Sequence, residues 1–204
     1  MTRQKFDHYP TQTGVIRAAI RAGIFGDMAG TVLEPAAGAG QIANVLRSHY
    51  DRVITNDIDD SHAADYREDA TNAGSPFWTA HAYDDVIGNP PYNVALPIVA
   101  RSLEVARRRV AMLMRITWME PAQERAELFA MHADHMVHFA PLGSPRPQFL
   151  FGINPKTDKP YSGDFATVAW LVWDRQFSWK RASIPNPFCF LYNWQDEAAQ
   201  QSLF

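Results

Sequence analysis

The sequence predicts an α/β fold: a doubly wound, mostly parallel β-sheet with an antiparallel C-terminal strand. In the first two thirds of the chain, short runs rich in β-branched residues alternate with amphipathic helical patterns. This alternation is typical of βαβ units that build a parallel sheet. Two later β-like runs, 136–139 and 167–172, lack a convincing helix between them. The connecting stretch 141–164 is rich in Pro, Gly and polar residues, so we expect an antiparallel excursion there.

The earlier elements each have a local signal. An apolar spacing on one face predicts the helix over 41–48. Pro90 and Pro91 end the strand over 86–87, because proline cannot continue a β-ladder, and Pro97 is tolerated in the first turn of a helix. The predicted strands are 31–33, 52–55, a short third element near Tyr66, 86–87 and 110–114, and the predicted helices are 41–48, 97–105 and 122–131.

Composition predicts one compact domain. The 204 residues are 47% hydrophobic and 20% charged, which is enough for a single core. No stretch has the roughly 20 apolar residues of a membrane span, and the N-terminal segment lacks the apolar centre of a signal peptide. The single cysteine, Cys189, allows no internal disulfide. We therefore expect a soluble, cytoplasmic protein of one domain, 1–204, without membrane association or a separate target-recognition domain.

The charge distribution permits a polyanionic partner without requiring one. The net charge is −3, of which residues 1–100 contribute −5 and residues 101–204 contribute +2. A sequence-specific DNA-binding protein usually carries a larger basic stripe than this.

The first candidate site is the Gly-containing turn Glu34–Gly40 after the first predicted strand. Open parallel sheets bind ligands at the carboxyl ends of their strands. The glycines let a ligand approach the backbone beside the positive end of the next helix. The turn matches neither the dinucleotide pattern GxGxxG nor a phosphate loop, and Glu34 suits an ammonium group. An ordinary tight turn explains the same residues equally well.

The second candidate is Asp57, at the end of the second predicted strand. A carboxylate there can accept hydrogen bonds from both hydroxyls of a ribose. The alternative is a solvated N-cap formed with Asp59 and Asp60.

The third candidate, Asn89-Pro90-Pro91-Tyr92, is more specific. The two prolines fix the backbone and leave the Pro90 carbonyl pointing outward. Asn89 adds a side-chain acceptor and Tyr92 adds an aromatic face, so the motif suits a planar group that bears an NH2. The alternative is a proline-rich turn with a buried tyrosine.

With these motifs in this order, the sequence resembles amino-group methyltransferases of the DNA adenine type, in particular the small versions carried by phages and prophages. The family signature (N/D)PP(Y/F) corresponds to Asn89–Tyr92. The resemblance implies a Rossmann-like class I methyltransferase fold and S-adenosyl-L-methionine as cofactor. The cofactor-binding residues that it implies are Phe6, Tyr9, Thr11, Glu34, Pro35, Ala36, Gly38, Gly40, Asp57, Ile58, Asp69 and Asn89.

The resemblance also implies a mechanism. The target base is flipped out of the duplex, because its amino group is unreachable inside the stack. Asn89 and the Pro90 carbonyl accept hydrogen bonds from the amino group, Pro91 fixes the turn and Tyr92 stacks on the base. Catalysis is then mainly positioning and electrostatics, without a metal.

Target selection is expected to fall to loops or to another protein subunit. The residues that we predict to contact nucleic acid are Arg115, Trp118, Arg146, Lys156 and Lys159. RNA adenine, the DNA cytosine amino group and a protein glutamine amide remain alternative targets, because each presents an NH2 of similar geometry. A non-catalytic subunit that binds cofactor or DNA is a further alternative.

Overall fold

The computed structural model describes residues 10–120, 122–144, 147, 153–154, 159–160, 167–188 and 190. Strands and helices alternate along these residues. The strands are β1 (Thr31–Glu34), β2 (Arg52–Thr55), β3 (Asp85–Gly88), β4 (Arg109–Arg115), β5 (Met136–Pro141), β6 (Ile153–Asn154), β7 (Lys159–Pro160) and β8 (Val168–Asp174). The helices are α1 (Thr13–Arg21), α2 (Gln41–Leu46), α3 (Ala95–Val105), α4 (Gln123–His132) and α5 (Trp179–Ala182).

Six strands form the main sheet, in the order β2-β1-β3-β4-β8-β5. β1 pairs in parallel with β2 and β3, and β3 pairs in parallel with β4. β8 lies antiparallel between β4 and β5, while β6 and β7 form a separate antiparallel pair. The predicted mostly parallel sheet with an antiparallel C-terminal strand is confirmed.

Helices cover both faces of the sheet. On one face, the buried residues of α1 and α2 pack against a cluster that includes Val32, Ile87 and Trp170. On the other face, α3 and α4 pack against Leu33, Val86 and other residues of a second cluster. Neighbouring strand residues thus point into opposite layers, as a period of two requires. Burying each large apolar side chain contributes roughly 1.5–3 kcal/mol, so both layers stabilise the sheet.

The element predicted near Tyr66 is not a strand. Tyr66 makes only an isolated parallel bridge with Asn56. Next to it, the Asp65 carboxylate accepts hydrogen bonds from the backbone N–H and the hydroxyl of Thr55. A side chain therefore occupies the β2 donor at the position where another strand would continue the ladder.

The sheet order places a crevice between β1 and β3. The chain passes from β1 outward to β2 and then returns across β1 to β3. Ligands of open α/β sheets bind at such a reversal, outside the carboxyl ends of the strands. No helix among the described residues is long and apolar enough to cross a membrane.

Candidate active site

A cavity of about 400 Å³ opens at the carboxyl ends of β1, β2 and β3. Nine residues that the sequence assigns to cofactor binding line it: Thr11, Glu34, Pro35, Ala36, Gly38, Asp57, Ile58, Asp69 and Asn89. Gly40 lies just outside the lining, where it precedes α2 with a left-handed φ of 78°. Sequence positions from 11 to 98 thus meet around one space.

The Glu34 carboxylate lines this cavity. Its side chain is 2% exposed, and Oε2 accepts a hydrogen bond of 2.8 Å from the Ala43 backbone N–H in the first turn of α2. Burial raises the pKa of Glu34 well above its ordinary value, and repulsion from Asp57 raises it further, against the opposing effect of the Ala43 bond. A cation bound beside Glu34 would favour its ionised form.

Asp57 links the glycine-containing turn to the end of β2 through a hydrogen bond. Its Oδ2 accepts a hydrogen bond of 2.6 Å from the Gly38 N–H, and its Oδ1 accepts one of 2.8 Å from the Asp59 N–H. No helix begins at Asp59 or Asp60, so the helix N-cap alternative is not met. The bond to Gly38 shapes the turn that lines the cavity.

Asn56, which the sequence analysis does not single out, is a central hydrogen-bonding residue of the site. It is 1% exposed. Its Nδ2 donates to the carbonyl oxygens of Pro35 at 3.0 Å and Glu68 at 3.1 Å, and its Oδ1 accepts from the Glu68 N–H at 3.0 Å. The signal that could have found it is an amide side chain at the end of a buried strand, directly before a candidate site acid.

Asn89 begins the Pro-Pro turn after β3 and lines the cavity. Its Nδ2 donates a hydrogen bond of 3.0 Å to Oγ1 of Thr11, which is 5% exposed. Gly88 lets this turn approach the β1 turn closely, since a Cβ on Gly88 would lie 3.3 Å from Cδ of Pro35. Thr11 and the Pro-Pro turn are therefore in direct contact.

Tyr92 lies beside the cavity and contacts Arg115, the last residue of β4. The Arg115 Cζ atom stands 5.1 Å from the centroid of the Tyr92 ring. This distance is within the range of a cation–π interaction. One face of the ring is thus occupied by a guanidinium group. Of the other two residues of the motif, Pro90 is buried and Pro91 lines the cavity.

The charged residues in the cavity lining that the structure describes are all acidic. They are Glu34, Asp57, Asp59, Glu68 and Asp69. A space walled by carboxylates favours a cationic ligand and disfavours a phosphate-bearing one.

The predicted nucleic-acid contacts are not brought together in the same way. Trp118 is 5% exposed, and its ring packs edge-on against Phe129 with centroids 5.6 Å apart. Its ring therefore belongs to the core in this structure, and its contact with nucleic acid stays a prediction. Lys159 begins β7, and only its backbone is described. Phe6, Tyr9, Arg146 and Lys156 lie outside the described residues.

In the described part of the chain, no group of three or more His, Cys, Asp or Glu residues is arranged to hold a metal ion. Burial lowers the pKa of His132 and of His138 below the ordinary value, with nearby His135 and Arg109, respectively, contributing to the shift.

No protein-family model and no curated protein matches the chain, but solved structures do. A provisionally assigned RNA methyltransferase from Pyrococcus horikoshii is 15% identical, with a TM-score of 0.56 over 83% of this chain and 85% of that one. The modification subunit of a provisionally assigned type I restriction enzyme from Vibrio vulnificus is 12% identical, with a TM-score of 0.60 over 84% of this chain and 45% of that one.

A third similar structure is the magnesium protoporphyrin IX methyltransferase of Synechocystis, solved with bound S-adenosylmethionine. It is 11% identical, with a TM-score of 0.52 over 80% of this chain and 79% of that one. At such low identities the likeness concerns the fold alone. The chain has the Rossmann-like fold of these methyltransferases.

Proposed function

We propose that this protein is an S-adenosylmethionine-dependent methyltransferase that methylates the exocyclic amino group of adenine in DNA. The observation that carries the proposal is the position of Asn89. It begins the motif Asn89–Tyr92 at the end of β3, and it lines the same cavity as the acidic residues at the ends of β1 and β2. A group that can accept hydrogen bonds from an NH2 thus borders a space suited to a cationic cofactor.

The chemistry of the cavity fits S-adenosylmethionine. This cofactor carries a sulfonium and an ammonium group, and the charged side chains described around the cavity are carboxylates. Glu34 suits the ammonium group, while Asp57 suits the ribose hydroxyls. Ile58 is 50% exposed although it is apolar, and it offers a surface for the adenine ring. The bound S-adenosylmethionine of the Synechocystis enzyme, which has the same fold, supports this choice.

In the proposed mechanism, the residues of this chain position a neutral amino group. When bound, the cofactor would supply a methyl group on a cationic sulfur: an N–C bond forms as the C–S bond breaks, the sulfur leaves as a neutral thioether, and the methylated nitrogen releases one proton to solvent. Asn89 and the Pro90 carbonyl accept hydrogen bonds from the two amino hydrogens, which directs the nitrogen lone pair at that methyl group. Tyr92 stacks on the flipped base, a contact worth roughly 1–3 kcal/mol in comparable sites. Since proximity and fixed dipoles supply most of the rate, no metal is required.

Adenine in DNA is the preferred target because the motif resembles that of DNA adenine methyltransferases. Arg115, at the end of β4 beside Tyr92, is a candidate contact for the phosphate of the flipped nucleotide. We propose a single methyltransferase domain whose loops, or a partner protein, supply the target specificity. The likeness to a restriction-enzyme modification subunit supports a partner. RNA adenine, DNA cytosine, a glutamine amide and a non-catalytic role are the alternatives.

The test is transfer of a tritiated methyl group from S-adenosylmethionine to unmethylated DNA, followed by mass spectrometry of the nucleosides. We expect N6-methyladenine with the wild-type protein and none with Asn89→Ala. Asn44→Ala is the matched control, since Asn44 is an exposed residue of α2, and it should behave like the wild type. Methylated RNA, cytosine or protein instead would replace the target, and cofactor binding without transfer to any acceptor would favour the non-catalytic role.

A further inference from the structure

Asn56 joins three segments that form the cavity. Its backbone N–H donates to the Glu34 carbonyl and its carbonyl accepts from the Ala37 N–H, which ties β2 to the β1 turn. Its side chain spans from the Pro35 carbonyl to both backbone groups of Glu68. The 1% exposed side chain therefore bridges the β1 turn and the segment 68–71.

These two segments are walls of the cavity. Pro35 lies on one wall, and Glu68, Asp69, Ala70 and Thr71 lie on the other. Among the described residues, segment 68–71 pairs with no strand, because the ladder beyond β2 stops at the single Asn56–Tyr66 bridge. Farther along the chain, the Ser75 hydroxyl donates to the Asp69 carbonyl. The Asn56 amide is thus a direct side-chain link between the two walls.

We propose that Asn56 is a positioning residue that fixes the separation of these two walls and so sets the affinity for the cofactor. This inference rests on the proposed function, since it concerns the same cavity. Asn56 acts through Pro35 and Glu68 and takes no part in the transfer. Its substitution should therefore change cofactor binding and leave the rate at saturating cofactor nearly unchanged.

The amide is chemically required at this position. An asparagine side chain offers two donor hydrogens and an acceptor oxygen, which matches the two carbonyls and the one N–H that it meets. Alanine would leave the buried Pro35 carbonyl and the part-buried backbone groups of Glu68 without the amide as a partner, which is costly. An ionised aspartate has the same shape but cannot donate, and its second oxygen would face two carbonyl oxygens.

The experiment compares wild type, Asn56→Ala and Asn56→Asp at neutral pH. We expect the dissociation constant and KM for S-adenosylmethionine to rise by about tenfold to a hundredfold in Asn56→Ala, and more in Asn56→Asp. The value of kcat should stay within about threefold of the wild type, because Asn89 and Tyr92 are unchanged. Amide hydrogen exchange over residues 66–71 should accelerate in both variants.

Tyr50→Phe is the matched control. The Tyr50 hydroxyl donates a buried hydrogen bond of 2.7 Å to Asp85 at the opposite end of the sheet. Its loss should lower the melting temperature without changing cofactor affinity or the exchange of residues 66–71. Thermal melts of all variants separate a general loss of stability from a local change at the cavity.

Folded Asn56→Ala with wild-type cofactor affinity would overturn the inference, as would a fall in kcat with KM unchanged. If neither Asn56 variant folds, the residue supports the whole fold and the inference is also overturned. A wild-type protein that does not bind S-adenosylmethionine would contradict the proposed function instead. In that case, unchanged exchange of residues 66–71 in the variants would contradict the proposed link independently.

Discussion

The hydrogen bond between Thr11 and Asn89 joins residues 78 positions apart. Asn89 Nδ2 donates to Thr11 Oγ1, so this bond fixes the orientation of the amide whose oxygen accepts from the target NH2 in the proposed mechanism. We expect Thr11→Val to lower kcat about tenfold, since roughly 1–1.5 kcal/mol of hydrogen bonding that orients Asn89 is lost. Steady-state kinetics at saturating cofactor would measure this.

Two variants sharpen this prediction. Thr11→Ser keeps the hydroxyl and should recover most of the activity. Thr13→Val makes the same change at an exposed residue two positions away, and it should have no effect. If Thr11→Val and Thr11→Ser lose activity equally, the hydroxyl is not what orients Asn89.

The buried Glu34 carboxylate predicts opposite effects on stability and binding. Burial raises its folded-state pKa above the ordinary value of 4.5, so the folded protein holds this proton more tightly than the unfolded chain. The resulting stabilisation is complete below the unfolded-state pKa and is lost as pH rises through the folded-state pKa. Glu34→Gln, which carries no charge, should therefore gain in melting temperature relative to the wild type as pH rises.

The same substitution should weaken cofactor binding, because the ammonium group loses its countercharge. Calorimetry should show a dissociation constant for S-adenosylmethionine about tenfold higher at pH 8. The difference should shrink at acidic pH, where wild-type Glu34 is itself protonated. Glu124→Gln, at an exposed position of α4, is the control. Equal cofactor affinity of wild type and Glu34→Gln at pH 8 would argue against an ammonium group beside Glu34.

The position of a site residue was predictable where a polar side chain suited to the ligand stands at the end of a predicted strand. Glu34 ends a strand of the parallel sheet, and Asp57 and Asn89 follow strands of it, so topology alone brings them to one edge. Asn56 was not identified, because its importance comes from backbone groups of segments 35 and 68 that no sequence pattern places nearby. The burial of Trp118 against Phe129 was not predictable, since an aromatic residue after a strand looks the same in the sequence whether it packs in the core or faces solvent.

At the scale of elements, the turn before α2 depends on the backbone of Gly40. Its φ of 78° is left-handed, and a Cβ there would meet only Asn44 Nδ2 at 3.9 Å. Gly40→Ala should therefore destabilise the protein by about 1–2 kcal/mol through conformation alone. Urea denaturation would measure it.

Gly14→Ala is the contrasting variant for Gly40→Ala. Gly14 lies within α1, and a Cβ there has no heavy atom of a described residue within 4 Å. Alanine should stabilise this helix by up to about 1 kcal/mol. A neutral Gly40→Ala would mean that the turn does not hold its left-handed conformation in solution.

The bounds of strands and helices were predicted well where the apolar residues followed a single period along the sequence. The strand over 52–55 has the predicted bounds, and the strand predicted over 110–114 extends by one residue at each end. No strand forms near Tyr66, because the Asp65 carboxylate takes the Thr55 backbone N–H that a further strand would use. Helix α1 was not predicted, although the buried spacing of Val15, Ile16 and Ala19 marks one face of a helix.

At the scale of the whole molecule, the half of the chain that lines the cavity is also the half with the negative net charge. Residues 1–100 carry the net charge of −5, and they contain β1 to β3 and every described residue that lines the cavity. The later residues, with a net charge of +2, add β4, β5 and β8 and the cation Arg115 beside Tyr92. A cationic cofactor and a polyanionic target are therefore each expected beside charge of the opposite sign.

The acidic lining of the cavity predicts that the protein binds the cofactor more tightly than the product of methyl transfer. S-adenosylmethionine carries one positive charge more than S-adenosylhomocysteine, because transfer of the methyl group turns the sulfonium into a neutral thioether. Five carboxylates line the cavity, without a cation among the described lining residues. We expect the cofactor to bind about tenfold more tightly than the product at low ionic strength, and the preference to fall to about threefold in 0.5 M salt.

Calorimetric titrations of both ligands at two salt concentrations would measure this preference. Glu68→Gln removes one lining carboxylate outside the proposed catalytic group, so it should weaken cofactor binding and leave product binding nearly unchanged. Glu124→Gln again serves as the control for the loss of a distant charge. Equal or tighter binding of the product at both salt concentrations would mean that the acidic lining does not act on the sulfur. Release of the product would then depend on some feature other than the loss of its charge.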